Sequence, residues 1–459
     1  MSVGLPTRPR RPQASLWGAG ALILAAGAGV ATGANPVLGA AATIGGLALA
    51  TAVLRPHLIC YLLVIAIFTS PLTVGGVTIG RLTAPLALVA VATQLFSNPI
   101  RFPAKVLLAI VAGYALFAAV SVGWTVHMSG TIDELTSLLA SLAQMAAFAF
   151  LMREPKDFRK LLGVVTVSSV ALALLWTLGY ATGADRRYNV TGDPNYFASL
   201  QVLALPMVLV FASHARDVAA RLVISIAVAI IAGSVVATLS RGGILTLLGT
   251  AAVILFLPAR TLFRSREHKV ALFACAAVGL SALLAVAWTD ISRRFSFAYE
   301  QEISGGRGDL WAAGLTGYRE HPLTGIGFGA FKPVSFKLLS STPGVDLEGH
   351  LRFAEGEYIH NAYIGSLVDL GPLGFALFLG VFVGTGYYLL RSSKRARLMG
   401  DVFLSRLSIA LAVALLSFAV SSLSLSTETS RALWMIVGLT VALTGMVDRR
   451  WGAQSAIRA

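Results

Sequence analysis

The sequence predicts an all-α integral membrane protein, a polytopic bundle of about 12–14 transmembrane helices with one large loop on its outer side that holds short helices. Three observations carry that reading. Hydrophobic residues make up 56% of the 459 and charged residues only 12%, where a soluble domain carries about 25% charged residues. The mean hydropathy is +0.78. Apolar runs of about 20 residues, long enough to cross a hydrocarbon core of about 30 Å, recur from end to end.

Fourteen runs qualify as spans: 16–34, 37–54, 58–74, 82–96, 106–124, 135–152, 161–182, 196–213, 222–240, 244–257, 270–288, a long helix within 359–390, 403–425 and 432–447. The first two are rich in Gly and Ala and read as a tightly packed hairpin. Arg8, Arg10 and Arg11 precede the first run. That run is too long for a signal peptide's apolar core and leads directly into another, so it reads as a span and not as a cleaved leader. Three regions follow: N-terminal spans over 1–288, an outer loop over 289–359 and C-terminal spans over 360–459. Cys60 and Cys275, the only cysteines, both fall inside apolar runs. They read as buried thiols with no disulfide and no cysteine metal site.

Charge sets the orientation. With the N-terminus in the cytoplasm, 24 of the 36 Lys and Arg fall on cytoplasmic segments, from Arg8 to Arg458. Of the other 12, seven lie in the one long loop, so short loops divide 24 to 5 in favour of both termini being cytoplasmic. The excess also accounts for the net charge of +15 and the isoelectric point near 10.3. Such basicity suits anionic lipid headgroups at loop ends, and no nucleic-acid partner is expected. The oligomeric state is not readable.

Two outer segments are long enough to hold chemistry, 183–195 and 289–359. The second, of about 70 residues, is too long for an idle connection. Within it RGDLWAAGLTGYRE, 307–320, spaces Leu310, Trp311, Leu315 and Tyr318 as an amphipathic helix on the membrane surface or over a cavity. Trp311 reads as an interface anchor more than as a sugar-stacking platform. Gly325, Gly327 and Gly329 follow as a flexible or close-approach segment. Their spacing does not match a phosphate or dinucleotide loop, and no strand precedes them.

Arg241 sits in ATLSRGGIL between two apolar runs. An arginine at the bilayer centre costs about 2.5–3.5 kcal/mol on insertion scales, and alternation of spans puts it at the outer boundary, with Gly242 and Gly243 turning the chain. It is either a snorkelling anchor or an anion-binding group. The run 359–390 spans about 48 Å as a helix, well over one crossing, so the stretch from His360 and Asn361 to Asp369 sits at or above the outer surface, with a break at Gly371-Pro372. His360 then lies at the level of Arg241, and Glu355 or Glu357 is placed to orient its ring. A lone interfacial histidine is as readily structural.

These segments together resemble a known superfamily. RGDLWAAGLTGYREHPLTGIGFGAF (307–331), EGEYIHNAYIGSLVDLGPLGF (355–375) and TLSRGG (238–243) are similar, in order and in topology over about 196–390, to motifs of the O-antigen ligase and O-antigen polymerase superfamily, the Wzy_C type. The resemblance implies a GT-C-like membrane glycosyltransferase of a bacterial inner membrane. It would move a glycan from an undecaprenyl-pyrophosphate-linked donor to a glycan, lipid or protein acceptor at the periplasmic face. By position, His360 takes the place of the catalytic base, and Arg241 and Arg307 those of the pyrophosphate-contacting arginines. Arg186 and Arg187, in GADRRYNVTGDPNYFA, are further candidates for the donor diphosphate, or else they hold lipid headgroups. Asn361, Arg352, Glu355, Glu357 and Tyr358 are candidates for acceptor contact or support.

The chemistry of the residues agrees with this. Two guanidinium groups suit a phosphate leaving group, and a histidine of ordinary pKa near 6.5 accepts a proton at neutral pH. No cofactor and no metal are expected, since an anionic leaving group held by arginines needs none and no HExxH-like cluster occurs. The reading is an O-antigen-ligase-like transferase, with a repeat-unit polymerase as its nearest rival and a protein O-glycosylating enzyme of the same superfamily close behind, since these differ in the acceptor. A transporter of a lipid-linked anion is the rival from another class. It would show internal repeats and mid-span charges, and neither is evident.

Overall fold

The computed structural model describes residues 36–69, 73–74, 77–97, 102–181, 193–215, 217–274, 306–345, 356–458 and the single positions 277, 281, 292, 347 and 350. The expected span 16–34, most of 270–288 and Cys275 lie outside the described residues.

The first half comprises α1 (Pro36–Leu54), α2 (Ile59–Phe68), α3 (Ile79–Ser97), α4 (Lys105–Val120), α5 (Met128–Leu151), α6 (Pro155–Ala181), α7 (Pro194–Ser213), α8 (Val218–Ala237), α9 (Arg241–Phe256) and the single turn α10 (Ala259–Leu262). The outer helices α11 (Arg307–Glu320) and α12 (Phe331–Ser341) follow, and then α13 (Ala362–Leu398), α14 (Val402–Ser421) and α15 (Arg431–Arg458). Among the described residues eight helices are long and apolar enough to cross a membrane, and four shorter apolar helical stretches, Gly45–Leu54, Pro56–Phe68, Thr83–Phe96 and Arg241–Phe256, accompany them. Each of these twelve falls on an expected span. The protein is a polytopic all-helical membrane protein.

The sequence explains five of the helix starts. Asp193, Asp217, Ser240, Asn361 and Asp401 each turn a side-chain oxygen onto a backbone N–H of the first turn that follows, which satisfies donors that the helix itself leaves unpaired. Such caps matter more beside lipid, where no water replaces them. α7 and α15 are buried on nearly all sides, and the remaining spans leave apolar flanks outward, the pattern of two inner helices ringed by lipid-facing ones. α15 meets α5 at close range, since a Cβ on Gly438 would lie 2.4 Å from the carbonyl oxygen of Met145. Trp434, fully buried on α15, stacks on Tyr114 of α4 at 6.3 Å between ring centroids. Between helices already in lipid, close packing of this kind holds the bundle, because burial from water contributes little there.

Three local expectations are corrected. The run 58–74 is not one helix: α2 ends at Phe68, and Thr73–Val74 pairs with Val77–Thr78 in a small antiparallel hairpin. Pro71 in that run opposes helical backbone before it. Gly242 and Gly243 do not make the turn at Arg241. Leu239, with φ 52°, turns the chain, Ser240 caps, and both glycines lie in the first turn of α9. They are small because neighbours press on them, Ala198 on Gly243 and Ser424 on Gly242. Finally, the long helix begins at Ala362 and not at Ile359, so His360 stands in the turn before it with φ 52°.

The expected break at Gly371-Pro372 is present. Gly371 has φ 65° and ψ −169° inside α13, a region that only glycine occupies readily. A Cβ there would also lie 2.4 Å from the carbonyl oxygen of Leu323. Gly371→Ala is therefore expected to destabilise the protein by about 2–3 kcal/mol, read as a lowered thermal midpoint of the purified full chain, while Leu373→Ala on the exposed face should change it little.

Candidate active site

The outer helices sit on the bundle through a small core of their own. Leu310, Ala313 and Gly314 of α11 face Phe331 and Leu339 of α12, together with Ile359 and Val368. The buried positions 310, 313, 314 and 317 follow one helical face, so α11 roofs the site and does not lie free on a membrane surface. Trp311 is part of this attachment: its Nε1–H donates to the Ile359 carbonyl at 3.0 Å, and it is not a free-standing interface anchor.

The glycine run makes the close approach. The Ile326 and Gly327 amides donate to the carbonyls of Val368 and Asp369, at 3.0 and 2.9 Å. The Asp369 carboxylate accepts from the Gly329 amide at 2.8 Å and the Phe331 amide at 3.3 Å. Gly325, Gly327 and Gly329 all take positive φ, and side chains there would strike Asp369, Thr125 and Glu134 in turn. The run is therefore a fixed joint and not a flexible loop.

This docking brings His360 beside Arg307. Burial lowers the pKa of His360, and the charge of Arg307 lowers it further, against the opposing pull of Asp193 and Glu357. Arg307 in turn feels burial first, then Asp193, then Arg241. Burial lowers its pKa, but a guanidinium remains cationic at neutral pH. So His360, Arg307 and Arg241, from three separate stretches of chain, share one electrostatic neighbourhood, and Asp193 and Glu357 belong to it. Arg241 and Arg307 are the first residues of α9 and α11, and Asp193 caps α7. The starts of α7 and α11 thus lie near His360, and the start of α9 near Arg307, and a helix start carries partial positive charge. Ser240 donates to Asn195 Oδ1 at 2.7 Å and ties the starts of α7 and α9 together.

His360 also lines a cavity of about 270 Å³, together with Glu134, Asp193, Tyr358, Glu428 and Thr429 among others. Tyr358 donates to Glu134 at 3.2 Å, Thr429 donates to the second Glu134 oxygen at 3.2 Å, and Lys332 lies 4.4 Å over the Tyr358 ring. Burial, then the charge of Glu134, raises the Tyr358 phenol. Glu428 is pushed well above the ordinary carboxylate range by burial, with Asp369 and Glu134 adding to the rise.

Of the other expected site residues, Asn361 supports the turn: its Oδ1 accepts from the Tyr363 and Ile364 amides at 3.0 and 3.1 Å. Glu357 turns toward His350, whose Nδ1 is 3.1 Å from Glu357 Oε2, and so it does not orient the His360 ring. Arg186, Arg187, Arg352 and Glu355 lie outside the described residues. Glu134, Glu428, Asp309 and His350 were not among the expected residues. Glu134 and Glu428 had a signal, as acids at the outer ends of apolar runs; His350 had none, because its partners are 41 and 7 residues away. Among the described residues no cluster of three or more His, Cys, Asp or Glu is arranged to hold a metal ion.

The family model described as O-Antigen ligase matches residues 226–379, about a third of the chain. That segment runs from within α8 into α13 and contains Arg241, Arg307 and His360, and the match supports an assignment to the O-antigen ligase superfamily. No curated protein matches the chain.

Because Asp369 holds the joint, Asp369→Ala should leave the Gly329 and Phe331 amides without their acceptor and lower the thermal midpoint clearly, at a cost of about 1–3 kcal/mol for each unpaired group. Asp369→Asn, which keeps one acceptor oxygen, should fall between Asp369→Ala and the wild type in the same melting experiment.

Proposed function

From the O-antigen ligase match we propose that this chain is a membrane glycosyltransferase that moves a glycan from an undecaprenyl-pyrophosphate-linked donor to an acceptor hydroxyl. The single observation that carries the proposal is the shared electrostatic neighbourhood of His360, Arg307 and Arg241 beside a cavity. The acceptor hydroxyl oxygen attacks the anomeric carbon of the donor sugar as the bond from that carbon to the pyrophosphate oxygen breaks. The hydroxyl proton passes to His360, and the bonding electrons leave with the lipid pyrophosphate. A single displacement of this kind inverts the anomeric centre.

Each role follows from a physical property. His360 is held neutral at neutral pH by burial and by Arg307, which leaves it able to accept a proton. Arg241 and Arg307 meet the charge that grows on the leaving oxygen, with the starts of α9 and α11 behind them, and preorganised charge of this kind stabilises a transition state strongly. The cavity walled by Glu134, Tyr358, Glu428 and Thr429 offers hydrogen-bonding groups to a hydroxyl-rich acceptor.

The active site faces the periplasm of a bacterial inner membrane, and both termini are cytoplasmic. At the other end of α13, far from His360, Arg391 and Arg395 pair with Asp448, and Arg450 pairs with Asp401 at 2.5 Å. A basic end of this kind suits the cytoplasmic side. A fluorescent reporter fused after Ala459 should fluoresce, and alkaline phosphatase fused within 289–359 should be active; the reverse pattern would invert the orientation.

Purified protein given a lipid-linked glycan and acceptor in the presence of a chelator should form product. His360→Ala should cut kcat by about 10²–10⁴-fold, the usual worth of a positioned base, with donor binding largely kept. Arg241→Ala and Arg307→Ala should weaken donor use. The lowered pKa of His360 keeps its ring unprotonated to lower pH, so the acid limb of kcat/KM should fall at a lower pH than an unperturbed imidazole would give. Near-normal turnover by His360→Ala would reject it as the base. The product separates the acceptors: polymer still on the carrier marks a polymerase, and glycan on a new lipid or protein marks a ligase.

A further inference from the structure

We infer that His350 is a positioning residue that keeps the Glu357 carboxylate away from Arg307, so that this guanidinium is left to meet the donor's pyrophosphate. The inference rests on the donor role given to Arg307 above. His350 is only 5% exposed. Its ring lies between two carboxylates, with Nε2 3.3 Å from Asp309 Oδ2 and Nδ1 3.1 Å from Glu357 Oε2. The two acids belong to the two elements that make the site. Asp309 is in the first turn of α11, two residues after Arg307, and Glu357 precedes His360 by three residues.

The charge of Glu357 reaches both Arg307 and His360. A poorly solvated carboxylate near a guanidinium forms a two-pronged ion pair unless something else holds it. Such a pair would occupy the N–H groups that otherwise meet phosphate oxygens. Among the described residues the two carboxylates that act on Arg307, Asp193 and Glu357, are engaged elsewhere. Asp193 Oδ1 accepts from the Asn195 amide at 2.7 Å and from its side chain at 3.0 Å. Glu357 is held through its side chain by His350, and its backbone N–H donates to Ser335 Oγ at 2.9 Å. Among the described residues neither acid makes an ion pair with Arg307. Gly306, with φ 82°, brings the start of α11 against the His350 ring, so the clamp lies beside the arginine it protects.

A simple tether between α11 and the His360 segment would use the same contacts, and a double variant separates the two roles. The measurement is calorimetric binding of inorganic pyrophosphate to the detergent-purified full chain. His350→Ala should weaken binding about tenfold as Glu357 swings to Arg307. Adding Glu357→Gln to His350→Ala should restore most of the loss, because the amide no longer competes as a charge. A tether cannot be rebuilt by that second change, so binding that stays weak in the double variant overturns the inference. Wild-type affinity in His350→Ala, or no pyrophosphate binding by the wild type, overturns it too. Should His350→Ala fail to fold, Glu357→Gln alone decides, since equal or tighter binding is expected and weaker binding contradicts the proposal. If the binding pattern holds while the wild type transfers no glycan, the proposed activity falls and the role of His350 stands.

Discussion

The site depends on one carboxylate. Asp369 sits two residues before the kink in α13 and accepts hydrogen bonds from the amides of Gly329 and Phe331. Through them the glycine run is locked against the bundle, and α11 and α12 are carried with it. The kink at Gly371 is part of the same joint, since its backbone passes against Leu323 and Gly325. Together with the Trp311 bond to the Ile359 carbonyl and the backbone bonds of Ile326 and Gly327, this contact fixes the segment that carries Arg307 relative to the one that carries His360.

The bilayer imposes the rest of the arrangement. Charged groups are costly in hydrocarbon, so the polar chemistry collects at the outer ends of the spans, where helix starts also gather. Arg241 and Arg307 open two of those helices and add full charges there. The acids divide in function. Asp193 and Asp369 accept backbone amides, Glu357 is taken up by His350, and Glu134 is held by Tyr358 and Thr429. The result is a site that combines two arginines, a set of hydrogen-bonding groups and a histidine whose pKa is lowered.

Such a layout suits a reaction in which the leaving group is an anion and the attacking group a neutral hydroxyl. The arginines need to be charged and accessible, and the histidine needs to be uncharged. Burial beside Arg307 keeps the imidazole neutral, while the same burial leaves the guanidinium protonated, because the two groups start from pKa values about six units apart.

The sequence alone determined the class of fold, because apolar runs, their lengths and the lysine and arginine bias are read directly by the bilayer. It also placed the break at Gly371 and the three motif segments, since each is a local property of a few residues. Tertiary structure decided what those residues meet. Gly242 and Gly243 are small for the sake of Ala198 and Ser424, Glu357 serves His350 and not His360, and Trp311 binds a backbone carbonyl. Contacts of this kind leave no pattern along a chain, since a side chain's partner is fixed only when the elements that carry the two residues have packed.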